Sequence, residues 1–233
     1  MTALAEQYRK VQTALREAER AAGRPEHSVK LLAVSKTFPE TDIRAVYAAG
    51  CRDFGENYIQ EWYGKTEALA DLPDIVWHVI GDVQSNKTKF VAERAHWLHT
   101  VGRLKTVERI SAQRPAGMPP LQICIEVNVS GEVAKHGVPP EEALPLALAA
   151  SKLPNIQVRG LMCVASDTDD ENELRRQFAL MQQLLADFQT ASLPADTLSM
   201  GMSGDMALAV DCGSTMVRVG SAIFGKRDYG KAV

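Results

Sequence analysis

Short apolar, β-branched runs alternate along the chain with longer stretches whose apolar residues recur on a helical period. The runs at 29–35, 53–55, 75–80, 97–101, 122–129, 157–164, 197–202 and 215–220 read as eight strands. Between them, 40–49, 58–70, 87–94, 104–113, 140–152, 170–189 and 205–211 read as helices. Several boundaries carry chemical marks. Thr168 and Glu171 have capping-box spacing, which predicts that Thr168 opens the helix over 170–189. Gly50 stands where a C-terminal cap belongs, and Pro139 and Pro140 suit a first helical turn, where a missing N–H leaves nothing unsatisfied. Ahead of the first strand, 1–25 forms one more helix with Leu4, Tyr8, Val11 and Leu15 on one face, expected to pack on the body of the domain.

Strands alternating with helices predict parallel pairing through βαβ units. Eight such units match a closed (β/α)8 barrel, and an open doubly wound sheet is the competing arrangement. No low-complexity linker divides the 233 residues, so one domain over 1–233 is expected.

Composition narrows the class. Lys and Arg number 26 against 29 Asp and Glu, a net charge of −3, which argues against the concentrated basic face that nucleic-acid binding needs. Hydrophobic residues at 45% and charged residues at 24% exclude a disordered, collagenous or coiled-coil chain. The four cysteines, Cys51, Cys124, Cys163 and Cys212, lie far apart with no CxxC pair, so neither a zinc site nor a disulfide framework is expected. They read as small hydrophobes, three of them in or beside apolar runs. The N-terminal stretch has no apolar core of the signal-peptide kind, and no run approaches the ~18 apolar residues of a membrane span. A reduced cytoplasmic compartment, without membrane contact, is the expectation.

Candidate chemistry lies at the strand ends, which form the active face of a barrel. They read Ser35-Lys36, Gly55-Glu56-Asn57, Gly81-Asp82, Asn128, Met162-Cys163, Gly201-Met202-Ser203 and Arg218-Val219-Gly220-Ser221. Lys36 follows the apolar KLLAVS run. A partly desolvated lysine there would be a nucleophile towards aldehydes, whereas a lysine reaching out to solvent is the plain structural reading. MGMSGD and RVGSAIFG each end a strand and begin a helical turn, with Ser203 and Ser221 offering hydroxyls beside small residues. Two such adjacent loops favour a phosphate cradle, although Ser203 could also N-cap its own helix. Together, a Schiff-base lysine and a phosphate cradle suggest pyridoxal 5′-phosphate (PLP).

On strand eight, Met216, Arg218 and Gly220 share one face, so Arg218 points inward and needs a buried acceptor or a carboxylate. His96 and His99, three apart on a strand, fall on opposite faces, which argues against a metal pair. His78 reads as a hydrogen-bonded core histidine or as a neighbour of the cofactor. GEVAKHG at 131–137 has the composition of a solvated loop.

Six ordered segments carry a wider similarity: LLAVSKT, FGENYIQE, WHVIGDVQSNK, VNVSGEVAKHGV, RGLMCVA, and LSMGMSGDM with GSTMVRVGSAIFG. From about Leu31 to Tyr229 the chain resembles the pyridoxal phosphate homeostasis proteins, the YggS/PROSC-like family. The resemblance implies a PLP-binding barrel of the alanine-racemase type, without the C-terminal β-domain, that stores and delivers the cofactor. It assigns Lys36 to the internal aldimine, Ser203, Gly220 and Ser221 to the phosphate, Asn57 to a place beside the cofactor and Arg218 to the pyridine nitrogen. A guanidinium there would keep that nitrogen unprotonated and make the ring a poor electron sink. Asp82, Val83 and Gly102 depart from the family pattern. PLP-dependent apo-enzymes are the implied partners, and a monomer the implied state.

Two other functions compete. A small PLP-dependent racemase or decarboxylase would use the same lysine. Racemases on this barrel resemble two-domain proteins whose second domain supplies a catalytic tyrosine, and here only Tyr229 lies near the end at Val233, so a non-catalytic carrier is expected. A phosphosugar-binding barrel, with Lys36 as a mere charge partner, is the weaker third reading.

Overall fold

The computed structural model describes residues 2–132 and 136–225, so 133–135 of the GEVAKHG loop, and Tyr229, lie outside the described residues. Eight strands, β1 (Lys30–Val34), β2 (Asp53–Glu56), β3 (Val76–Val79), β4 (Trp97–Val101), β5 (Leu121–Glu126), β6 (Ile156–Met162), β7 (Thr197–Ser199) and β8 (Met216–Val219), run parallel in chain order. β8 pairs with β1, which makes the barrel closed and rules out the open sheet. One helix precedes the barrel, α1 (Ala3–Ala21). The others each follow one strand: α2 (Glu40–Ala48), α3 (Ile59–Ala68), α4 (Thr88–Arg94), α5 (Leu104–Gln113), α6 (Pro140–Ala150), α7 (Glu171–Thr190), α8 (Met206–Asp211) and α9 (Ser221–Phe224). Among the described residues, no helix is long and apolar enough to cross a membrane.

The local signals explain most of the boundaries. Gly50, at φ 107°, ends α2: its N–H meets Tyr47 O at 2.9 Å and the Cys51 N–H meets Val46 O at 3.3 Å, the paired bonds of a Schellman turn. Pro139 and Pro140 stand at the N-cap and first turn of α6. The expectation for Thr168 is corrected. Asp170 caps α7, its Oδ1 accepting from Asn172 N and Glu173 N, because it alone directly precedes the first helical residue. Thr168 instead accepts the N–H of Asp170 at 3.1 Å and holds the cap in place.

Several strands stop earlier than their apolar runs. The ladder of β7 ends at Ser199, not 202, and that of β5 at Glu126, not 129. Past these points the chain turns while staying apolar: Gly201 takes φ 96°, and Val127 pairs singly with Val138. Val127 and Met200 are apolar there because they are buried, not because they belong to a strand ladder.

Two apolar layers result. The larger fills the space between strands and helices, and α1 joins it through Tyr8, Val11 and Leu15. Glu19 of α1 is fully buried and accepts from His27 N, Val29 N and Arg16 Nη1 at 3.0, 2.7 and 2.6 Å, tying this helix to the start of β1. Inside the barrel the apolar cluster is small: Leu32, Trp97, Cys124, Met162 and Met216. Cys51, Cys124 and Cys163 are buried thiols, and Cys212 is half-buried.

Gly160 sets the approach of β6 to β7. The register between β5 and β6 shifts between Ile123 and Cys124, and Gly160 takes φ 155°. A Cβ at this position would lie 1.9 Å from Thr197 O, so the two backbones close only over a glycine. Gly160→Ala is expected to cost about 3 kcal/mol, on the scale of an overpacked core. Urea unfolding of both proteins checks it, the outcome to look for being a lower midpoint at unchanged slope.

Candidate functional site

Lys36 sits in a tight turn directly after β1. The Phe38 N–H closes the turn on Ser35 O at 3.1 Å, and Thr37 stands at φ 69°, a left-handed conformation that a β-branched residue seldom takes. What holds it is a buried charge cluster beneath. Lys65 of α3 donates to Ser35 O at 3.0 Å, Glu56 Oε1 at 2.7 Å and Glu61 Oε1 at 2.6 Å. Ser35 Oγ also donates to Glu56 Oε1 at 2.7 Å, and Glu61 Oε1 accepts the Thr37 N–H at 2.8 Å. Burial raises the Glu56 carboxyl above the ordinary range, and the Lys65 charge and the two hydrogen bonds only partly offset this. The ends of β1 and β2 and the first turn of α3 are thus clamped around the segment that carries Lys36.

The loops after β7 and β8 meet at the same mouth. Ser221 Oγ donates to Ser203 Oγ at 3.3 Å, joining the two loops. Ser203 does not cap α8; Asp205 takes the N-cap position and accepts the Met202 N–H at 2.5 Å. Gly220 leaves no room for a side chain without pressing on Val34 O, which a Cβ would approach to 3.2 Å. Gly220 precedes α9, whose first N–H groups have no intrahelical acceptor.

Arg218 lies inside the barrel, 5% exposed. Nη1 donates to Ser199 O at 2.7 Å and Ser199 Oγ at 2.8 Å, and Nη2 donates to Cys163 O at 2.8 Å. Its need for a buried acceptor is met by carbonyls and a hydroxyl. No carboxylate pairs with it among the described residues. Asn57, just past β2, has its Oδ1 buried without a hydrogen-bond partner, packed where Gly81 passes so close that a Cβ there would lie 2.1 Å from Asn57 O.

Glu126, the last residue of β5, is a group that the sequence reading missed. It lines a cavity of about 230 Å³ with Asp82, Thr100, Arg103 and His136. Burial raises its carboxyl above the ordinary range, against the pull of His136 and Arg218. A strand running to 129 would place Asn128 at its end, but Asn128 organises the following loop, accepting from Ser130 Oγ and Gly131 N. His78 and His99 are both buried in the barrel and hydrogen-bond each other, while His96 Nδ1 accepts the Trp77 N–H; no metal-binding cluster forms among the described residues.

A closed barrel with a lysine after its first strand and joined loops after its last two is the frame of the alanine racemase N-terminal domain, whose family profile matches residues 4–228. The pyridoxal phosphate homeostasis protein of Pseudomonas aeruginosa is 51% identical over 99% of this chain and 98% of its own, and that of Escherichia coli K12 is 42% identical over 99% and 100%. The chain belongs to the pyridoxal phosphate homeostasis protein family. Among solved structures, PipY of Synechococcus elongatus with PLP bound aligns at TM-score 0.78 and 35% identity, over 95% of this chain and 100% of that one. Alanine racemase of Corynebacterium glutamicum shares the fold at TM-score 0.70 and 19% identity, over 94% of this chain and 62% of its own.

The clamp under Lys36 makes a direct prediction. Lys65→Met strands the Glu56 carboxylate in a buried site and is expected to cost about 3–5 kcal/mol. A carboxyl whose folded pKa is raised gains its proton in the native state first, so the deficit should shrink as the pH falls from 7 towards the ordinary carboxylate range. Urea unfolding at several pH values, with Lys65→Met/Glu56→Gln as the partly rescued control, measures both.

Proposed function

We propose that this protein binds PLP, anchors it covalently through Lys36, and holds it for transfer to PLP-dependent apo-enzymes, acting as a cytoplasmic monomer without substrate turnover of its own. The observation that carries this reading is the convergence at one barrel mouth of the rigid Lys36 turn, the joined Ser203–Ser221 loops and the inward Arg218. When bound, PLP supplies an aldehyde that an amine can capture, on a ring bearing a phosphate.

The residues fit such a group. Hydroxyls from Ser203 and Ser221, with the side-chain-free Gly220 between strand and helix, suit a phosphate, which helix N–H groups also favour. Asn57 brings an amide with an unpaired buried oxygen. Arg218 brings a cation that no accessible pH deprotonates, so it would keep a neighbouring ring nitrogen free of a proton. Lys36 brings the amine, on a turn that the Glu56–Lys65–Glu61 cluster holds still. The family's name and the PLP-bound PipY relative support the same ligand.

Borohydride reduction of the PLP-treated protein followed by peptide mass analysis is expected to add one cofactor, on Lys36. Lys36→Ala should lose that adduct yet still bind PLP more weakly by calorimetry, through the phosphate. An adduct elsewhere, or no residual binding, overturns the assignment of these residues.

Absence of turnover has its own test, because Glu126 is a titratable carboxyl at the mouth. A working general base contributes about 10²–10⁴-fold. Proton NMR in D2O, with a panel of L-amino acids, is expected to give α-proton exchange within about 100-fold of free PLP at equal concentration. Faster exchange that Glu126→Gln abolishes would replace the carrier with a racemase or related enzyme.

A further inference from the structure

An unbroken line of hydrogen bonds crosses the barrel from one mouth to the other. It begins at Asp53, the first residue of β2, whose Oδ1 takes Lys30 Nζ at 3.0 Å and lies 3.0 Å from His78 Nε2. His78 Nδ1 is 2.9 Å from His99 Nε2, and His99 Nδ1 is 2.8 Å from Ser199 Oγ. Ser199 Oγ in turn accepts from Arg218 Nη1 at 2.8 Å. Both histidines and Ser199 are fully buried, so no water competes for these bonds.

The two ends dictate where every proton sits. Asp53 is held below the ordinary carboxylate range: burial raises it, but the His78 bond and charge and the Lys30 ammonium outweigh burial. As a carboxylate it only accepts, so His78 Nε2 carries the proton and His78 Nδ1 is bare. Arg218 only donates, so Ser199 Oγ accepts from it and turns its own hydrogen to His99 Nδ1. That leaves His99 Nε2–H to donate to His78 Nδ1. Burial depresses both imidazoles, and His99 also feels His78 and Arg218. With both neutral, one arrangement satisfies all four links, and it runs in one direction from the cation to the carboxylate.

We propose that Asp53 is a remote positioning residue: by fixing the His78 and His99 tautomers it turns the Ser199 hydrogen towards His99 and leaves the Ser199 oxygen to Arg218 alone, strengthening the bond that sets the guanidinium. For its consequence at the cofactor this rests on the PLP reading above; for the protein alone it does not. Without the Asp53 acceptor, His78 is free to place its proton on Nδ1. His99 then reverses and donates from Nδ1 to Ser199 Oγ, which must accept from both His99 and Arg218 and find another acceptor for its own hydrogen, so the bond to Arg218 Nη1 weakens.

Long-range ¹H–¹⁵N NMR on the full-length, cofactor-free protein at pH 7 is expected to find both His78 and His99 as neutral Nε2–H tautomers. The Arg218 Nη protons should give separate, slowly exchanging signals. Asp53→Ala should populate the other histidine tautomer and merge or broaden the Arg218 signals, whereas Asp53→Asn, which keeps an acceptor oxygen, should restore them. Lys30→Met removes the ammonium beside Asp53 but no link of the chain, and should leave Arg218 unchanged, which a general loss of stability would not do. With PLP added, Asp53→Ala should weaken affinity about twofold to threefold, because the Arg218 bond to Ser199 is weakened and not lost. A protonated or Nδ1–H histidine in the unsubstituted protein overturns the proposal, and so does a folded Asp53→Ala variant whose Arg218 signals stay as they were. Failure of PLP to bind the unsubstituted protein would sink the functional reading alone, because the tautomers and the Arg218 signals still decide the chain.

Discussion

A guanidinium that cannot give up its charge sits inside the barrel, and the interior is built to satisfy it. Barrels of this kind are ordinarily filled by layers of branched apolar side chains. Here Arg218 occupies that space with no carboxylate against it among the described residues, and neutral acceptors meet its desolvation. The Ser199 carbonyl and hydroxyl and the Cys163 carbonyl supply them. Ser199 ends β7, the strand beside β8, and its carbonyl also accepts the Cys163 N–H at 3.2 Å, while Cys163 follows β6, one strand further round.

The same demand shapes the thiols and the carboxyls nearby. Burial pushes Cys124 and Cys163 up to about 12, so neither is a thiolate beside the cation despite its pull. Glu126 is also raised by burial. Among the described residues the positive charge thus stays without a carboxylate in contact.

Much of this was legible in the chain. Eight strands with intervening helices, the inward face shared by Met216, Arg218 and Gly220, and the Gly50 cap all follow from period and local chemistry. The features that escaped depend on distance along the chain. His99 and Ser199 are separated by 100 residues, and His78 and Asp53 by 25, so no spacing rule brings them together. Glu61 and Lys65 stand four apart and read as an ordinary surface pair, yet closure of α3 on β1 buries Lys65 against Glu56. Glu126 was hidden by a different cause. Val127, just past the end of β5, is apolar because it is buried against Val138, so the apolar run outlasts the ladder.

How a barrel tolerates so polar an interior is answered by the division of its apolar surface. The layer between strands and helices contains Phe54, Trp62, Phe178 and Phe188 among its fully buried side chains, while the interior cluster has five buried members. Stability scales with apolar area removed from water, so the outer layer supplies nearly all of it. The interior is relieved of that task, provided that each polar group in it is paired, since one unpaired buried group costs about 1–3 kcal/mol. Pairing a fixed donor, Arg218, with a fixed acceptor, Asp53, through groups that can each donate and accept leaves no member unmatched. A serine and two neutral histidines can each do this, and they are the ones that fill the space between.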